Sequence, residues 1–338
     1  MRILATVERI PGGLMIVPLL LGASLNTFFP EALEIGGFTT ALFKEGALAL
    51  IGAFLFCMGA QIPARAAGVP LEKGAAILLG KLAAGVAVGL AVAALMPDGT
   101  LLGLVPVAII AAMTNSNGGL FVALTEEFGN ETDTGAVSVI SINDGPFFTL
   151  VALGVAGLAD IPLLALVAVL VPILAGFVLG NLDEDIRNFL KPGQRLLIPF
   201  FAFPLGASID FGTILTAGPP GILLGVMTVV ISGFGAIAFL YGWYLIRRRP
   251  RRQRNVVSGA AEASTAGNAV ATPAAVALAD PAYEAVAEVA TAQVAASTVT
   301  TAILTPVFVI LIYRWQMSRG VDPRKEFEEL IPGGSGRP

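Results

Sequence analysis

The sequence contains no histidine and a single cysteine, and only 13% of its 338 residues are charged. Without imidazole no Ser-His triad can form, and without His or a second Cys there is no basis for a zinc site or a disulfide framework. Cys57 lies inside an apolar run, where a free cysteine ordinarily packs as a small hydrophobe. An intramembrane hydrolase would be left with a Ser-Lys pair, and Lys81 with Ser116 or Ser264 carries no supporting motif. We therefore expect no enzyme, no metal site and no cofactor.

The shortage of charge is informative in itself. Soluble chains carry about a quarter charged residues, whereas 56% of this chain is hydrophobic. Charges gather in short stretches separated by apolar runs close to the roughly 20 residues that a helix needs to cross a bilayer. We place ten spans, at roughly 12–29, 46–62, 75–96, 102–125, 135–158, 162–181, 195–209, 219–246, 256–279 and 284–313. Arg2, Arg9, Arg65, Lys73, Arg187, Lys191, Arg195, the run "RRRPRRQR" at 247–254 and the basic tail all fall on one side, while Lys44 alone falls on the other. By the excess of positive charge in cytoplasmic connections, both termini are expected in the cytoplasm. The run is read as a topology determinant, and a net charge of -4 gives no reason to expect nucleic-acid binding.

Three motifs recur in the same order. "VPLLLG" at 17–22 matches "VPILAG" at 171–176, "FCMGAQI" at 56–62 matches "FPLGASI" at 203–209, and "NSNGG" at 115–119 matches "STAGN" at 264–268, with offsets of 154, 147 and 149 residues. A five-span unit duplicated this way enters the membrane from opposite faces, as in many secondary transporters. The expected architecture is an all-α membrane protein of two inverted five-helix repeats, at 1–160 and 161–320, followed by a cytoplasmic tail at 321–338. The repeat also argues against a cleaved signal peptide, because the first span has a partner that must stay.

The fourth and ninth spans are interrupted by polar residues. Broken mid-membrane backbone survives only when buried in protein or lining a water-filled cavity. Gly118, Gly119 and Gly267 suit the backbone of a break, while Thr114, Asn115, Ser116, Asn117, Ser264, Thr265 and Asn268 offer donors and acceptors. Each second half-helix begins with free N–H groups and partial positive charge. Two such ends brought together would bind a small polar anion, and these ten residues are the expected substrate site. Glu262, Asp144 with its neighbour Asn143, and Lys81 are ionisable or polar groups within spans and are the expected ion-coupling residues. Lys81 has two readings, snorkelling to the cytoplasmic surface or pairing with a carboxylate. Gln61 and Ser208 are read as packing or gate residues.

The stretches "ERIPGGLMIVPLLLGA", "LFCMGAQI", "MTNSNGGL", "GFVLGNLD", "LIPFFAFPLG" and "STAGNAVATP" resemble the bacterial 2-keto-3-deoxygluconate permeases, in collinear order from about residue 8 to about residue 315. The resemblance implies proton-coupled uptake of this sugar-acid anion across the bacterial inner membrane. It also implies a fold related to the bile-acid sodium symporters, with spans 4 and 9 unwound and crossing in a core of helices 3–5 and 8–10. Helices 1, 2, 6 and 7 would form a panel. Glu262 resembles the carboxylate that binds cations in sodium-dependent relatives, so a sodium-coupled symporter of another small organic anion is the alternative. The implied partners are the anion, protons or Na+, and the bilayer; a homo-oligomer is left open.

Overall fold

The computed structural model describes residues 2–10, 13–62, 68–143 and 145–326. Among them the chain is helical throughout and contains no strand, apart from one isolated bridge between Leu101 and Leu104. The principal helices are α1 (Gly13–Phe28), α2 (Ala47–Gln61), α3 (Val69–Leu95), α4 (Pro106–Thr114), α5 (Gly118–Phe128), α6 (Glu131–Asn143) and α7 (Phe147–Val155). They are followed by α8 (Leu163–Leu182), α9 (Gly193–Gly206), α10 (Phe211–Ile246), α11 (Val257–Ala261), α12 (Gly267–Ala279) and α13 (Glu284–Ser318). Helices α3, α8, α10 and α13 are each long and apolar enough to cross a membrane.

Their apolar side chains point outward. Helix α8 is almost wholly hydrocarbon, yet Leu163, Leu164 and Leu182 are 75%, 77% and 78% exposed. A soluble fold would not leave so large an apolar surface uncovered, so the surrounding solvent is lipid and the chain is a multi-pass membrane protein.

Helix boundaries depart from the hydropathy reading where a charge finds a partner. Helix α3 starts at Val69 rather than near 75 because Lys73 is buried, with Nζ 2.9 Å from Asp133 Oδ1 and 2.7 Å from Glu326 Oε2. Asn130, Asn255, Ser258 and Tyr244 also donate to these carboxylates. Helix α10 begins at Phe211, eight residues before its expected start, because Asp210 caps it through Gly212 N at 2.7 Å. Gln293 lies within α13 because its amide accepts from Val105 N and donates to Gly103 O, fixing the start of α4. Gln316 holds Val256 N and Arg254 O ahead of α11 in the same manner.

Packing follows glycine. Helix α1 lies on α9 and α2 lies on α8. A Cβ at Gly22 would meet Phe203 O at 2.2 Å, and one at Gly176 would meet Phe56 O at 1.9 Å. Likewise Gly206 lies against Leu19 O and Gly59 against Ile173 O, at 1.9 and 2.1 Å. The contacting residues are related by the same offsets of 154 and 147 residues that relate the sequence motifs. Helix α3 packs on α10 and α4, with Gly80 against Gly235 O, and α10 packs on α13. Small residues at these crossings let main chains approach closely, the means by which helices associate in lipid.

Candidate functional site

The first break lies at residues 115–117, where α4 stops at Thr114 and α5 resumes at Gly118 with a bend of 41°. Its freed backbone groups are taken up by side chains. Asn143 Nδ2 donates to Thr114 O, Ser232 Oγ donates to Met113 O at 2.9 Å, and Asn115 Oδ1 accepts from Gly145 N at 3.0 Å. Asn117 caps α5, its Oδ1 accepting from Leu120 N at 3.1 Å. The N–H groups of Gly118 and Gly119 in the same first turn have no intrahelical acceptor.

The second break separates α11 from α12 at residues 262–266, and side chains take up much of its freed backbone. Thr305 Oγ1 donates to Ala263 O at 2.6 Å, Thr298 Oγ1 to Ala266 O at 3.2 Å, and Thr265 N donates to Thr301 Oγ1 at 3.0 Å. The carbonyls of Glu262 and Ser264 are met by Lys81. Its ammonium lies 2.9 Å from Glu262 O, 2.7 Å from Ser264 O and 2.9 Å from Glu262 Oε1, and both side chains are fully buried. Lys81 therefore pairs with a carboxylate and does not snorkel. Helix α12 opens as a 3-10 turn at Gly267.

Both breaks border one cavity of about 840 Å³, lined by Asn117, Gly118 and Gly119 from the first and by Ala266, Gly267 and Asn268 from the second. A second lobe of about 840 Å³ adjoins it and shares Asn117, Gly119, Gly267 and Arg195. Such volumes lie in the range of about 300–1,000 Å³ common to small-molecule sites.

The ten residues read as a substrate site thus divide. Asn117, Gly118, Gly119, Gly267 and Asn268 line the cavity. Thr114, Asn115, Ser116, Ser264 and Thr265 are fully buried behind it. Of these, Thr114 and Asn115 bond Thr149, and Thr265 bonds Ser297. Asn143 is bound to the first break and Lys81 and Glu262 to the second. Asp144 lies outside the described residues. Gln61 borders the cavity while donating to Arg187 O, and Ser208 donates to Leu205 O.

Lys191, Gln194 and Arg195 also line the cavity and were not anticipated. A basic residue at the end of a span reads as a topology determinant whether or not it faces a pocket, so the sequence carried no separate signal. Arg195 forms an ion pair with Glu8 where the lobes adjoin.

Outward-facing apolar helices around a cavity, with backbone broken where it borders that cavity, define a membrane transport protein. The chain belongs to the 2-keto-3-deoxygluconate permease family, whose model matches residues 4–318. It is 55% identical over 307 residues to 2-keto-3-deoxygluconate permease 1 of Salmonella typhimurium, spanning 91% of this chain and 94% of that one. The 2-keto-3-deoxygluconate permease of Bacillus subtilis is 43% identical over 318 residues, with 92% and 94% covered. That of Xanthomonas axonopodis pv. citri is 41% identical over 320 residues, with 93% and 98% covered.

Proposed function

We propose that the chain is a secondary active transporter that takes up 2-keto-3-deoxygluconate by proton symport through alternating access. The observation that carries this reading is that both breaks border a single cavity. The substrate's carboxylate would be met by the N–H groups of Gly118, Gly119 and Gly267 at the starts of α5 and α12, and its hydroxyls by Asn117 and Asn268.

Ten spans in two inverted repeats, at 1–160 and 161–320, are supported by the matched glycine contacts. An α1–α9 approach through Gly22 and Phe203 has its counterpart in α8 and α2 through Gly176 and Phe56. The panel would comprise α1, α2, α8 and α9, and the core α3–α7 with α10–α13. The cavity lies between them, bordered by Leu14, Phe54 and Ile198 on one side and by the breaks on the other. With both termini and the tail at 321–338 in the cytoplasm of a bacterium's inner membrane, the end of the cavity lined by Lys191 and Arg195 would lie toward the cytoplasm, as in an inward-facing state.

Coupling would reside in Glu262 and Asp144 as proton carriers, with Lys81 holding Glu262 behind the cavity and Asn143 bound to the first break. Purified protein in liposomes is expected to accumulate labelled 2-keto-3-deoxygluconate above equilibrium under an inwardly directed proton gradient, and to lose accumulation when a protonophore is added. Accumulation indifferent to the proton gradient but driven by sodium would replace this reading with the sodium-coupled alternative. Passive equilibration alone would indicate a channel.

Lys191 and Arg195 add positive charge at the cavity wall. Lys191→Ala is expected to raise KM about two- to five-fold with kcat unchanged, as befits a solvent-accessible attractive charge. The increase shrinks at high ionic strength. A KM independent of the substitution at low salt removes Lys191 from substrate attraction. Arg195→Ala is expected to act less, because Glu8 already compensates the guanidinium.

A further inference from the structure

At the second break a full positive charge is surrounded by oxygens that a bare cation would also satisfy. The Lys81 ammonium contacts two main-chain carbonyls and one carboxylate oxygen, all within 2.9 Å. Two further oxygens of the same residues, Glu262 Oε2 and Ser264 Oγ, are buried without a hydrogen-bond partner among the described residues. Elsewhere in the break single carbonyls are met by single hydroxyls, from Thr305 and Thr298. Here carbonyls of two residues converge with a carboxylate on one point, and a hydroxyl with its one proton could not answer them all. Unwound carbonyls and carboxylates gathered in this way are the usual surroundings of a monovalent cation in membrane transport proteins, where they replace its hydration shell. In this chain the charge arrives on a tether from α3, which Gly80 holds close against α10.

We infer that the oxygen cage at the second break is a monovalent-cation site filled by the protein's own Lys81 ammonium, and that removing this side chain opens the cage to sodium or lithium. Lys81 is then a built-in substitute for a bound ion. The inference deepens the transport reading, because a filled cage leaves protons, rather than sodium, to drive uptake. Its test measures ion binding alone and so can fail while that reading stands.

The purified full-length protein and Lys81→Ala are compared by thermal unfolding in sodium, lithium, potassium and choline chlorides at equal ionic strength, and by equilibrium binding of radioactive sodium. A ligand that binds only the folded state raises the unfolding temperature with its concentration. The expected result is a sodium- or lithium-dependent rise for Lys81→Ala, with saturable binding of about one sodium per chain. Neither effect is expected for the unsubstituted protein or for the double variant Lys81→Ala/Glu262→Gln, whose cage lacks the Glu262 carboxylate. Recovery of folded Lys81→Ala only in sodium or lithium also supports the inference. It is overturned if Lys81→Ala is indifferent to sodium and lithium, if it fails to fold in every salt, or if the unsubstituted protein binds sodium equally well.

Discussion

Glu262→Ala is expected to lose about 3–5 kcal/mol of stability, because it removes a fully buried carboxylate from beside the Lys81 ammonium. Both side chains are fully buried at 2.9 Å, so solvent screens the pair very little. Replacing the pair by apolar residues, Lys81→Met/Glu262→Leu, removes both charges together and is expected to recover part of that loss. Recovery stays incomplete, since the carbonyls of Glu262 and Ser264 then lose the ammonium that donates to them. Thermal unfolding of the two variants beside the unsubstituted protein measures both effects. If Glu262→Ala melts with the unsubstituted protein, the pair does not hold the second break together. Transport by either variant is expected to be abolished, as the break borders the cavity.

A second large effect is expected at the helix crossings. The Cβ of Gly176→Ala would stand 1.9 Å from Phe56 O, and that of Gly206→Ala 1.9 Å from Leu19 O. Each clash is with main chain, which no rotamer change relieves, so the helices must move apart. Overpacking costs about 1–3 kcal/mol and occasionally more, and both variants should fall at the upper end. Gly52→Ala and Gly242→Ala are the controls, because a Cβ at either meets nothing within 4 Å. Helix propensity alone should make the controls neutral or more stable by up to about 1 kcal/mol. Equal unfolding temperatures for Gly176→Ala and Gly52→Ala would falsify the close approach of α2 and α8. Gly22→Ala should resemble Gly176→Ala, since the Gly22–Phe203 and Gly176–Phe56 contacts are related by the repeat offsets.

The breaks were legible in the sequence for a simple reason. Polar residues such as Asn115, Ser116 and Asn117 inside hydrocarbon runs must find partners in a medium without water, and their recurrence at 264–268 marked the second break as equivalent to the first. The membrane character of the fold was legible too, because lipid selects apolar side chains along each run whatever its neighbours are. The starts of α3 and α10 were misplaced, since a hydropathy count excludes Lys73 and Asp210 without knowing that one is neutralised and the other is a cap.

The division of the break residues was not legible. Thr114 and Asn117 are three positions apart and both polar, yet one is sealed against Thr149 while the other borders the cavity. Nor was the engagement of Lys81 with Glu262, separated from it by 181 residues, beyond the bare option of pairing with some carboxylate.

By itself, then, the sequence determined which segments are helical, which lie in lipid and where two of them must break, because those properties depend on each segment's own exchange with its surroundings. Only the tertiary structure decided which carboxylate Lys81 meets, which break residues border the cavity and that Lys191, Gln194 and Arg195 join them. Those outcomes depend on which distant surfaces close on one another, and no local pattern of polar and apolar residues encodes that choice.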